Sequence, residues 1–387
     1  MSSEALILLD ITLVIICAKV LEELFAKIKQ PPLLGDLLAG ILLGPTILGI
    51  IRITDNIESI AWLGIVLLIF LAGLESSIED LKKYGKSAGI VAVGGVVATF
   101  SLALLVSLYL GYSIETSLFI AVILAPTSVS VTVATLMEIN AIRTPVGETI
   151  LGAAVADDVY AMVLFSIVYS MLAEEEGNPT YKVVTGIILL LVIAFVISKF
   201  SKKIIGFFMK SSLHDAQFTY PIIVGLIVAT ITAFYGLSPI IGAYFAGLSL
   251  SIALPMTSRA RQYYPLLVDF ISPFFFVYAG ILLDPWSILG NIELSKALTT
   301  AFLIVVAGVV GKVVGCGVAA WLQGFDKRSS LAIGVGMMPR AGVDLVIAVT
   351  GLSLGVLTMD LYFSALLLIY VTSITTPFLL KKLVAEH

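Results

Sequence analysis

Thirteen apolar segments follow one another along the chain, each about as long as a lipid bilayer is thick. They lie near residues 5–26, 33–51, 59–75, 88–110, 116–137, 147–172, 181–198, 218–236, 238–254, 266–283, 297–322, 329–351 and 359–380. A helix that crosses the hydrocarbon core takes about 20 largely apolar residues. Inside lipid the backbone polar groups must be satisfied within the segment, which leaves helices as the structure available to such runs. The pattern predicts an all-α polytopic membrane protein of about thirteen transmembrane helices. Composition agrees, with only 12% charged residues in 387, where soluble domains carry roughly 25%.

The basic residues give this array an orientation. Sixteen of the 22 fall in alternate loops and the C-terminal tail, among them Lys27, Lys29, Lys82, Lys83, Lys86, Arg143, Lys327, Arg328, Lys381 and Lys382. The opposite side carries only Arg52, Lys182 and Lys296, beside the acidic run Glu174 to Glu176. Lys and Arg accumulate in cytoplasmic loops. The expectation is a multi-pass protein of the cell membrane with its N-terminus outside and its C-terminus in the cytoplasm. The first apolar run holds Asp10 and Lys19 and lacks a small-residue cleavage pattern, so it reads as a span and not as a signal peptide. Cys17 and Cys316 sit in apolar runs without metal-ligand spacing and read as buried free thiols. The histidines, His214 and His387, form no cluster. No cofactor and no nucleic-acid partner is expected.

The chain repeats itself. PPLLGDLLAGILLG from Pro31 resembles SPIIGAYFAGLSLS from Ser238, and at the same offset LAGLE from Leu71 aligns with YAGIL from Tyr278. The equivalent spans are the second and ninth, then the third and tenth. That offset of seven spans is odd, so equivalent helices run in opposite directions. This predicts two inverted six-helix repeats joined by a linker helix, an arrangement that transporters use to build a site near the midplane.

The repeat pairs the fifth span with the twelfth, and each contains a break. One reads APTSVSVT, with Pro126 followed by Thr127, Ser128, Ser130 and Thr132; the other reads GVGMMPRAGVDL, with Pro339, Arg340 and Asp344. Proline removes a donor and disrupts the preceding turn. Two broken, crossing helices therefore offer hydroxyls, freed carbonyls and half-helix ends to a small cation.

Charge also lies inside the apolar runs. AAVADDVYAMVLFSIV places Asp157 and Asp158 side by side, and Lys312 sits near the middle of the eleventh span. Buried ionisable groups need partners and mark ion or proton pathways. Lys312 needs a carboxylate, for which Asp157 or Asp158 is available. Side chains of adjacent helix residues diverge by about 100°, so one aspartate can face the lysine while the other faces a cavity. Oxygen ligands of this kind suit hard cations. Protons and sodium would then compete for the same carboxylates. Arg340 and Asp344, four residues apart, could pair on the cytoplasmic half of the twelfth span.

These motifs together resemble the monovalent cation:proton antiporters, in particular the bacterial-type sodium/proton antiporters with paired aspartates. The resemblance rests on Gly152–Asp158, Ala125–Thr132, Phe70–Glu75, Gly311–Gly315 and Gly336–Leu345, and spans essentially the whole chain. It implies a homodimer in the bilayer, with dimer-domain helices in 1–87 and 216–290, core transport helices in 88–172 and 291–387, and a linker in 173–215. It implies that Asp158 binds sodium, lithium or a proton while Asp157 pairs with Lys312. Elevator-type alternating access and electrogenic exchange of two protons per sodium are also implied. The chain departs from the pattern at Gly342, where relatives often place an acid; here the acid is Asp344.

Other readings compete. Potassium/proton exchange or sodium-coupled symport would use the same fold, since cavity geometry decides selectivity. An intramembrane aspartyl protease would need Asp344 to face Asp158, but AGV precedes Asp344 where such enzymes carry a Gly-x-Gly-Asp pattern. A buried Lys312 would also hold an aspartate ionised, against a shared-proton dyad.

Overall fold

The structure, a computed structural model, describes residues 3–45, 47–75, 78–139, 141–172, 188–189, 192–193, 195–203, 206, 216–235, 237–251, 259–283 and 294–384. Most of the seventh predicted span lies outside these residues, as do Glu174 to Glu176, Lys182, His214 and His387.

The described elements are helices. The N-terminal series is α1 (Ser3–Lys27), α2 (Pro32–Leu43), α3 (Asp55–Glu75), α4 (Ile78–Tyr109), α5 (Ile114–Ile123), α6 (Val129–Glu138) and α7 (Pro145–Leu172). The C-terminal series is α8 (Ala216–Phe234), α9 (Pro239–Ser251), α10 (Arg259–Leu282), α11 (Leu294–Leu322), α12 (Lys327–Gly336), α13 (Gly342–Ser353) and α14 (Met359–Val384). Six described helices are long and apolar enough to cross a membrane: those holding Asp55–Glu75, Lys86–Tyr109, Pro145–Leu172, Tyr263–Leu282, Ser295–Leu322 and Met359–Val384. The segment 33–51 was expected to be helical throughout, but α2 stops at Leu43. Gly44 and Pro45 end it, and the amides of Ile50 and Ile51 fold back onto the Leu43 carbonyl. Cys316 is buried, whereas Cys17 is only partly covered.

The chain divides into two compact units. The first comprises Met1–Leu21, Gly35–Glu79 and Ser166–Ile281. At its centre lies α9, buried on every side from Ile240 to Leu250, as expected of a helix that is apolar all round. Small residues let it approach α3 closely. A Cβ on Gly73 would strike the Tyr244 carbonyl, and one on Gly247 would strike the Phe70 carbonyl. Likewise, a Cβ on Gly40 of α2 would meet Val277 and Gly280 of α10, and one on Gly280 would meet Leu37 and Gly40. In the repeat expected from the sequence, Gly40 corresponds to Gly247 and Gly73 to Gly280. Lys19 donates to the Asp269 carbonyl at 2.9 Å.

The second unit comprises Glu22–Leu34, Asp80–Phe165 and Leu282–His387. An alanine-rich core of α4, α7, α11 and α12 includes Ala88, Ala92, Ala153, Ala154, Ala156, Ala319 and Ala332. Two polar ties lie near its ends. The Tyr112 hydroxyl donates to Asp360 at the start of α14. Elsewhere Glu138, closing α6, accepts from Lys29 at 3.1 Å and from Lys381 at 2.8 Å. Asp326 caps α12 by accepting from the amides of Arg328 and Ser329 at 2.9 and 3.1 Å.

Candidate functional site

All the residues of the candidate site belong to the second unit. Glycines set the packing around Lys312. A Cβ on Gly311 would meet the Thr99 backbone of α4, and one on Gly315 would meet Gly94. The aliphatic stem of Lys312 crosses bare helix at Gly95, where a Cβ would lie 3.3 and 3.4 Å from Cδ and Cε. This close approach of α4 and α11 buries the lysine completely.

Its ammonium group has two acceptors. Asp157 Oδ1 of α7 is 2.5 Å away and the Ala125 carbonyl 2.6 Å away. Asp157 is likewise fully buried, and its Oδ2 has no hydrogen-bond partner. Such a pair demands both members, because removing either strands a charge in a medium that solvates it poorly. Asp158, one residue along the same helix, is only half-buried, and its Oδ1 is without a hydrogen bond. Asp157 and Asp344 are both close enough to act on it electrostatically. One aspartate is thus neutralised by lysine, while its neighbour holds an unsatisfied oxygen.

The two helix breaks meet. α5 ends at Ile123 and α6 begins at Val129, leaving Leu124 to Ser128 non-helical around Pro126. α12 ends at Gly336 and α13 begins at Gly342, leaving Met337 to Ala341 around Pro339. The last carbonyls of a helix lack intrahelical partners. Here the first break and the start of α6 supply them: Thr132 Oγ1 of α6 donates to the Gly336 carbonyl at 2.6 Å and Thr127 Oγ1 of the break to the Met337 carbonyl at 3.0 Å. The Ser128 amide donates to the Pro339 carbonyl at 2.8 Å. The hydroxyl protons of Thr127 and Thr132 are therefore spent on joining the breaks, and only their lone pairs are free to face an ion. The Ser128 side chain is half-buried. The Ser130 side chain lies outside the described ones.

Arg340 is not on a helix but in the second break, and it is wholly buried. Its amide donates to Thr372 Oγ1 at 3.1 Å and its carbonyl accepts from Ser373 Oγ at 2.8 Å, so α14 holds its backbone from both sides. Its Nη1 donates to the Ala125 carbonyl at 3.1 Å and lies 3.8 Å from Asp344 Oδ1, while Nε and Nη2 have no hydrogen-bond partner. Asp344, the third residue of α13, accepts from the Ala341 amide at 3.0 Å through Oδ2. An acid there caps the helix and complements its dipole. The pair thus forms across a helix start and not along a regular helix, because Pro339 and the break remove the turn between them.

The sequence reading missed three participants. Ala125 carries no side-chain chemistry, and only the following Pro126 hints at an exposed carbonyl. Thr372 and Ser373 read as ordinary hydroxyls of an apolar span. Only contact with Arg340 reveals their part.

Comparison with known proteins places the whole chain in a family. The transmembrane sodium/hydrogen exchanger family model matches residues 11–385. A probable Na(+)/H(+) antiporter of Bacillus cereus, GerT, is 31% identical over 96% of this chain and 98% of its own length. The Na(+)/H(+)-K(+) antiporter GerN of the same organism is also 31% identical, over 96% of this chain and 95% of its own. Among solved structures, the sodium proton antiporter MjNhaP1 from Methanocaldococcus jannaschii shares the fold, with a TM-score of 0.72 at 18% identity and 97% of each chain covered. The protein is a helical, multi-pass membrane transporter and not an enzyme, and it belongs to the sodium/hydrogen exchanger family.

Proposed function

We propose that the protein exchanges sodium for protons across the cell membrane. The observation that carries this reading is the fully buried Lys312–Asp157 pair beside the half-buried Asp158, whose Oδ1 is unsatisfied. Asp158 binds sodium, lithium or a proton, and Asp157 passes between pairing with Lys312 and facing the cation. Carboxylate oxygens cannot hold a proton and a hard cation at once, so the two ions exclude each other and their movements are coupled. Thr127, Ser128, Ser130 and Thr132 lie near enough in sequence to the break to line the ion's path through their oxygens. Exchange of two protons per sodium moves one net charge, worth about 2.3 kcal/mol at ~100 mV, or a roughly 50-fold sodium gradient.

Elevator-type alternating access carries the site between the two sides. The compactness of the unit that holds every site residue supports this. The reciprocal glycine packing supports two inverted repeats, since exchanging Gly40 with Gly247 and Gly280 with Gly73 maps one contact onto the other. Thirteen spans, a homodimer formed through 1–87 and 216–290, and a cytoplasmic C-terminus complete the reading; the distribution of Lys and Arg supports the orientation.

Potassium exchange is the second reading, favoured by the likeness to a Na(+)/H(+)-K(+) antiporter. The test is cation-induced dissipation of a pH gradient in proteoliposomes, with sodium, lithium and potassium, for wild type and Asp158→Asn. A sodium or lithium response that disappears in the variant is the expected result. A response to potassium alone replaces the substrate, and an undiminished variant removes Asp158 from the mechanism.

A further inference from the structure

We propose that Asp344 is a positioning residue for ion exchange, acting through Arg340 on the carbonyl that Lys312 also uses. The inference rests on sodium/proton exchange at Asp157 and Asp158 as described above. Arg340 is fully buried with five potential N–H donors on its side chain, yet Nε and Nη2 have no hydrogen-bond partner. The group it does bond, the Ala125 carbonyl, is already taken by Lys312 at 2.6 Å. Two cations therefore crowd one neutral oxygen, while the nearest carboxylate to Arg340 stands at 3.8 Å, beyond hydrogen-bond length.

Asp344 cannot close that gap by a side-chain turn without loss. Its Oδ2 is committed to the Ala341 amide, and Oδ1 faces the guanidinium without a hydrogen bond. Nor can Arg340 move its backbone toward Asp344, because Thr372 and Ser373 of α14 hold its amide and carbonyl. The guanidinium is thus poised between two acceptors. Asp344 draws it away from Ala125 and offsets its charge, so that of the two bonds to this carbonyl the one from Lys312 is the shorter, 2.6 Å against 3.1 Å. The charged groups acting on Asp344 are Arg340, Lys312 and Asp158. Asp157 acts with it on Arg340.

Neutralising Asp344 while keeping its cap isolates this role. The side-chain oxygen of Asn at this third helical position can still accept from the Ala341 amide. In Asp344→Asn the guanidinium loses its counter-charge and leans onto Ala125 and the aspartates. The extra positive charge then opposes both cation binding and protonation there. The expected result in proteoliposomes is a half-saturating sodium concentration raised about threefold to tenfold, with the pH profile displaced toward acid. Asp344→Glu retains the charge and should stay near wild type. The double variant Arg340→Gln/Asp344→Asn removes the uncompensated cation and should return the pH profile toward wild type.

An Asp344→Asn protein that loses only maximal rate, with unchanged half-saturation and pH profile, overturns the proposal in favour of a purely structural cap. If Asp344→Asn does not assemble, the double variant decides: a displaced profile in it overturns the proposal, and a restored one supports it. Failure of the wild type to exchange sodium for protons is a different result, which removes the underlying functional reading.

Discussion

Lys312 of α11 and Arg340 of the second break donate to one acceptor, the carbonyl of Ala125. The carbonyl is available because α5 stops before Pro126, so no amide one turn later claims it. A backbone oxygen thus joins the two buried cations, and each also lies near a carboxylate, Asp157 for Lys312 and Asp344 for Arg340.

Lys312→Met leaves Asp157 buried without its partner. A stranded charge of this kind costs about 3–5 kcal/mol, so the variant should melt well below wild type in detergent. Lys312→Met/Asp157→Asn should recover much of that loss, because no charge is left unpaired. A double variant whose loss equals the sum of the single losses would show the two residues to be uncoupled.

Thr132 joins α6 to the end of α12 through its hydroxyl. Thr132→Val keeps the shape but leaves the Gly336 carbonyl without its donor, a cost of about 1–3 kcal/mol. Thr132→Ser retains the bond and should melt near wild type. A change in half-saturating sodium without any change in melting temperature would instead make Thr132 an ion ligand.

The reciprocal glycines have no room for a methyl group. Gly73→Ala and Gly280→Ala each drive a Cβ into a backbone carbonyl of the facing helix, which cannot turn aside as a side chain can. Overpacking of this kind costs about 1–3 kcal/mol. Thermal unfolding should show comparable losses at both positions if they are equivalent places in the two proposed repeats. A loss at only one would break the equivalence.

Glu138 gives stability a pH dependence at the end of α6. Hydrogen bonds from Lys381 and Lys29 hold its carboxyl below the ordinary value of 4.5. A depressed carboxyl contributes fully above its ordinary value, and the contribution is lost as pH falls through the lowered one. Melting temperatures of wild type and Glu138→Gln should therefore differ at neutral pH and converge in acid. Added salt should narrow the difference as well, because the group is exposed and screened.

Much of the fold was legible because lipid imposes a simple rule. Apolar runs of bilayer length become helices, and the helices observed fall on twelve of the thirteen expected segments, the seventh being mostly outside the described residues. The breaks were legible too, because Pro126 and Pro339 act locally on their own turns. The extent of α2 was not. Hydropathy continues through Ile47, Leu48, Ile50 and Ile51, while Gly44 and Pro45 end the helix.

The site was legible as a set of ionisable residues and illegible as a network. By itself the sequence determined which charges must be compensated inside the membrane, since burial of Asp157, Lys312 and Arg340 is expensive wherever they lie. It could not choose between Asp157 and Asp158 as the partner of Lys312. Tertiary packing decided that: α4 and α11 approach over Gly94, Gly95, Gly311 and Gly315, and this sets Lys312 against Asp157 Oδ1 and Ala125. The same packing turned Thr127 and Thr132 toward the Met337 and Gly336 carbonyls and pinned Arg340 on Thr372 and Ser373. Residue type sets the demand for a partner; which partner meets it depends on hydrogen-bond distances between segments far apart in the chain, and those exist only in the folded molecule.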